Sequence, residues 1–190
     1  MGSCFKAPAA LTAGTIALAA AGTVLLASTP AAASARSVAA STHRAGTSTH
    51  TLLQSRELWA TVDVCNPSDQ PDTVGVRGSM PGDGHPGDTM YMSFQLQYLE
   101  AKSDTWIDLH DGSSTFIEIG SAKAARQGGW SVQLKPVANQ PAYTIRGVVT
   151  FQWRHDGHVA HETSRTTQAG HKSLADADPP DYTAAECTIG

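Results

Sequence analysis

Basic residues are too few and too dispersed in this sequence to line a phosphate backbone. Lys and Arg number 13 against 17 Asp and Glu, for a net charge of −4. Nucleic-acid binders neutralise phosphates with clustered Lys and Arg, so no nucleic-acid partner is expected. The same scarcity excludes a polybasic membrane-surface module. No apolar run after residue 35 is long enough to cross a bilayer, so a mature chain is expected to make no stable membrane insertion. Familiar catalytic signatures are missing as well. Gly78-Ser79-Met80-Pro81-Gly82 places its serine too early for a nucleophile elbow. There is no His-Glu-x-x-His and no glycine-rich phosphate loop. No cofactor is expected, and the missing motifs weigh toward binding rather than catalysis.

The N-terminus holds the three parts of a secretory signal. Lys6 supplies the positive charge, Gly14 to Ala27 the uncharged apolar stretch, and Ala33-Ser34-Ala35 small side chains for a signal peptidase. The pattern predicts a signal helix over residues 1–35, cleaved after Ala35, and a secreted, extracellular protein. Cysteine usage agrees. Cys4 would leave with the signal, so Cys65 and Cys187 remain in an oxidising compartment and are expected to pair. Residues 36–56 are small and polar, without aromatics or an apolar period, and read as a flexible linker. The ordered domain is expected over residues 57–190.

Within that domain the dominant pattern is alternation. Met90, Met92, Phe94, Leu96 and Tyr98 fall at period two, with Tyr91, Ser93, Gln95 and Gln97 between them. That spacing places five apolar side chains on one face of a strand. Leu58, Ala60, Val62 and Val64 repeat it, as do Tyr143, Ile145, Val149, Phe151 and Trp153. Asp156-Gly157 is a favoured hairpin turn, because both positions need positive φ. It predicts a strand returning over His158 to Thr167. Gly and Pro punctuate the intervals, and no helix is expected after the signal beyond a single turn over Ser121 to Gln127. The count comes to about seven or eight antiparallel strands in an all-β domain.

These stretches carry two resemblances. Met90 to Leu109 resembles the C and C′ strands of immunoglobulin-like and fibronectin type III-like domains. Tyr143 to Thr167 resembles their F–G hairpin, with Tyr143 at the place of a tyrosine corner. The mature sequence also resembles a group of secreted actinobacterial proteins of unknown function, through Leu58-Trp59-Ala60-Thr61-Val62 and Arg146-Gly147-Val148-Val149-Thr150-Phe151. The first resemblance implies a β-sandwich. Neither implies an activity, and the cysteine positions differ from the immunoglobulin pattern.

Two groups of residues have the chemistry of a site. His155 and His158 flank the hairpin turn, and His171 lies on a later loop; together they have the donors for zinc or copper. They are equally the side chains of a solvated hairpin tip. His161 has the opposite parity to His158 and is not expected to join them. The second group is Asp83, His85 and Asp88, on the glycine-rich loop Met80 to Thr89. Such loops often bind ligands, although the spacing is not that of a calcium loop. The function expected is a non-catalytic module that binds an extracellular protein, polymer or small ligand. A small hydrolase with a loop-built site and a metal binder using the hairpin histidines are the alternatives.

Overall fold

The computed structural model describes residues 48–135, 141–171, 174 and 176–190; the signal helix expected over 1–35 lies outside them. Among the described residues nine strands run antiparallel: β1 (Trp59–Cys65), β2 (Thr73–Met80), β3 (Asp88–Glu100), β4 (Thr105–Ser113), β5 (Ile117–Ser121), β6 (Arg126–Gln133), β7 (Tyr143–His155), β8 (His158–Thr166) and β9 (Glu186–Ile189). The protein is all-β, with more strands than the seven or eight expected. β1, β2 and β6 form a small sheet in that order. The larger sheet follows β4-β3-β7-β8, with β5 added to β3 and β9 added to β7. No helix among the described residues is long and apolar enough to cross a membrane.

The alternation determines which faces meet. Met90, Met92, Phe94 and Leu96 of β3 and Ile145, Val149, Phe151 and Trp153 of β7 are buried in one cluster with Val62, Val74, Val76 and Met80 of the small sheet. Gly147 shows how closely the sheets approach. A Cβ there would lie 2.7 Å from a Val76 methyl, so no larger side chain fits without moving a sheet. The hairpin forms as expected: Asp156 (φ 47°) and Gly157 (φ 80°) join β7 to β8.

The far side of the small sheet carries buried polar groups instead: Thr61, Asp63, Thr73 and Ser79. The C-terminal segment satisfies several of them. Val62 and Ala184 exchange backbone hydrogen bonds, Asp178 N donates to Asp63 O, and Thr61 Oγ1 meets Thr183 Oγ1 at 2.7 Å. Arg77 Nε reaches the Asp63 carboxylate at 2.7 Å. Burial pushes the Asp63 carboxyl up, and the Arg77 bond and charge offset only part of that rise. The expected bridge is present: Cys65 at the end of β1 is bonded to Cys187 in β9.

Three expectations are corrected. A short helix, α1 (Thr49–Leu53), occurs inside the stretch read as flexible linker; Ser48 caps it, and Leu52 is fully buried. Arg165 Nη2 donates to Leu53 O at 2.6 Å, tying α1 to β8. Five residues cannot display a helical period, and two leucines among Thr, Ser and His carry no signal of burial. Ordered packing therefore starts before Glu57. Residues 126 and 127, read as the end of a possible helical turn, belong to β6. β9 escaped notice because its four residues offer only Cys187 and Ile189 to the core.

Candidate functional site

The loop from β2 to β3 is held on several sides. Trp153 Nε1, itself in the core, donates to Pro81 O at 2.9 Å. Gly84 N donates to Ala122 O, and Ala122 N to Asp88 O. Gly82 lies so close to the β5–β6 turn that a Cβ would sit 2.5 Å from Ala122 O. Local chemistry then folds the loop on itself: Asp83 Oδ1 accepts from His85 N at 2.7 Å, as Asp side chains do two residues on in a turn. Asp88 N donates to His85 O, closing the loop into the start of β3.

This arrangement brings Asp83, His85 and Asp88 together. One donor atom from each lies within 4.8 Å of the other two. The Asp83 and Asp88 side chains are almost wholly buried, at 3% and 9% exposure, whereas His85 is half exposed. Burial raises the Asp83 carboxyl above the ordinary 3.8, helped by its contact with Asp88. Burial also works to raise Asp88, but hydrogen bonds from His155 and Asp83 hold it below the ordinary value. The opposite shifts mean that Asp88 gives up its proton more readily than Asp83 does.

A fourth group arrives from the hairpin. β3 and β7 pair with Asp88 opposite His155, and His155 Nδ1 lies 2.6 Å from Asp88 Oδ1. His155 Nε2 faces the Asp156 carboxylate at 3.5 Å. The Asp88 hydrogen bond, then the Asp156 charge, raise the His155 imidazole above 6.5. The loop and the hairpin, read from the sequence as separate candidates, therefore share one site. No local signal joins residues 67 positions apart; only strand register does.

The other histidines lie elsewhere. His158 stands across the hairpin from His155 and is exposed. A bulge in the β7–β8 pairing sets His161 opposite Trp153, with the two rings edge-on at 6.5 Å, so the regular-ladder parity does not hold there. His171 stacks on Trp59 at 4.2 Å, its backbone N donating to Thr183 Oγ1. Among the described residues, His155, His158 and His171 do not make a metal-holding group.

His171 has a separate consequence. Its Nε2 is buried without a hydrogen-bond partner, and burial lowers the imidazole below 6.5. The unfolded chain thus takes up this proton first as pH falls. The stability that depends on neutral His171 is complete above about pH 6.5 and declines as pH drops through that value. Melting temperatures of the wild type and His171→Phe, measured between pH 7.5 and 5, are expected to diverge on the acid side, with the wild type falling further. Parallel curves would remove His171 as the cause.

No protein-family model and no curated protein matches the chain. Among solved structures it is similar to the Pseudomonas fluorescens alkylpurine DNA glycosylase AlkC bound to DNA containing an abasic site analog. The match has 12% identity and a TM-score of 0.31, over 60% of this chain and 30% of that one. The chain thus spans about a third of the glycosylase, and an overlap this loose bears on neither fold nor activity.

Proposed function

We propose that this chain is a secreted β-sandwich of the immunoglobulin-like or fibronectin type III-like class, acting outside the cell as a binding module. Its ligand at Asp83, His85 and Asp88 is a divalent transition-metal ion, zinc or copper. The class is supported by the pairing of β3 with β4 and β7 with β8, as C–C′ and F–G strands pair, with β3 and β7 adjacent within the sheet. Secretion is supported by the signal pattern and by the Cys65–Cys187 bridge.

One observation carries the metal: two buried carboxyls in contact, with an imidazole beside them. Both cannot ionise in that position without a counter-charge. A proton supplies it in part, and a divalent ion supplies it fully. The imidazole favours zinc or copper over calcium and magnesium, which take oxygen donors. Around a tetrahedral zinc the donors sit about 3.4 Å apart, so closing from within 4.8 Å needs roughly 1 Å of movement. Three protein ligands also leave a position for water or an outside group.

Calorimetric titration of the chelator-treated mature domain with zinc is expected to give one ion per chain and a raised melting temperature. At a free zinc concentration of 100 times Kd the gain is about 2.7 kcal/mol. Asp83→Asn and Asp88→Asn should each weaken binding by roughly 100-fold or more, beyond the loss of an outer partner. Asp83→Asn should leave the metal-free domain close to the wild type in stability, since it removes one of two neighbouring carboxyls, whereas Asp88→Asn also gives up the ion pair with His155 and should lower it somewhat. A titration without saturable binding, or binding indifferent to both substitutions, overturns the reading.

A further inference from the structure

We infer that His155 is a positioning residue for this cation site, holding Asp88 through Nδ1 and making the β7–β8 hairpin part of the site. The inference rests on the metal reading above. His155 Nδ1 lies 2.6 Å from Asp88 Oδ1, which leaves the second Asp88 oxygen for a cation. The same imidazole is steadied from outside by Asp156, 3.5 Å from Nε2, on a turn residue with φ 47°. Carboxylate, imidazole and carboxylate thus form a chain from the buried loop to the hairpin tip. Ligating carboxylates are commonly oriented by such outer hydrogen bonds, and losing one weakens metal binding roughly 10–100-fold. The histidine is well placed for this role and poorly placed as a ligand, because the nitrogen facing the site is already engaged.

Two outcomes follow for the hairpin. A cation that fixes Asp88 also fixes His155, and with it the backbone of the turn. Removing the His155 side chain uncouples the turn from the loop. Since that side chain is 65% exposed, its removal leaves the metal-free fold intact.

The experiment compares the wild type, His155→Ala and His155→Asn in the mature domain, using zinc for affinity and cobalt for absorption spectra. The Asn amide N–H can stand where Nδ1–H stood. His155→Ala is expected to bind zinc roughly 10–100-fold more weakly, with His155→Asn recovering most of the loss. The cobalt bands should keep the same pattern in wild type and His155→Asn, because no donor to the metal changes. Zinc should slow amide hydrogen exchange at residues 155–158 in the wild type and leave it unchanged in His155→Ala. If His155→Ala binds as tightly as the wild type, the inference fails while the metal reading stands. If His155→Asn fails to recover and its cobalt spectrum shows a lost nitrogen donor, His155 is a ligand and the positioning role is wrong. If the wild type itself binds no zinc, the metal reading fails and takes this inference with it.

Discussion

Serine in place of both Cys65 and Cys187 is expected to lower the unfolding free energy by roughly 2–5 kcal/mol, the upper end coming from chain entropy. The bridge closes a loop of 122 residues, long enough to remove much of the unfolded chain's freedom. It also acts in the folded state. β9 is four residues long, and the segment before it lies along β1 through only a few backbone bonds, among them those of Val62 with Ala184. Without the bridge, Ile189 and the β7–β9 pairing must hold that segment. Its amides should then exchange ahead of global unfolding, whereas in the oxidised wild type they exchange with the β3–β7 core. Denaturant melts with native-state hydrogen exchange measure both effects. An unchanged midpoint, with unchanged protection over residues 176–190, would mean that the cross-link constrains nothing of consequence.

Trp153→Ala is expected to be at least as damaging, at about 3–5 kcal/mol for an aromatic removed from a closed core. Trp153 is fully buried, and its indole N–H is the donor to Pro81 O. The substitution therefore opens a cavity and strands a backbone carbonyl at the root of the 81–88 loop. Trp153→Phe separates the two effects. It keeps most of the volume but loses the N–H, and should cost about 1–3 kcal/mol for the unsatisfied carbonyl. The conservative variant should also weaken zinc binding, because Pro81 leads directly into Asp83. Melting curves and zinc titrations of both variants give the answer. If Trp153→Phe matches the wild type in both, the Trp153–Pro81 bond does not support the site.

The alternating strands were legible from the order of residues alone. Every odd-even choice along Met90 to Leu96 holds, and the return strand begins at His158 as the turn places it. A period of two is a local property, and burial of one face follows from it. α1 was illegible for the same reason: Leu52 is buried through contacts made far along the chain, which no window of residues reports. Partial order in the site followed this division. The Asp83-to-Asp88 loop stood out by its residue types, but the joining of His155 to Asp88 did not.

Residue order by itself determined the all-β class and the hairpin at Asp156-Gly157, and it pointed to the pairing of Cys65 with Cys187 once Cys4 was assigned to a signal, because alternation, turn stereochemistry and a short list of thiols are all local or exhaustive. Tertiary structure alone decided that Asp83 and Asp88 are buried in contact, that His155 rather than His158 or His171 reaches them, and that His171 is spent on Trp59. The meeting of His155 with Asp88 depends on the β3–β7 register. A shift of one residue in that register would turn His155 away from the loop and leave the two carboxyls with only each other.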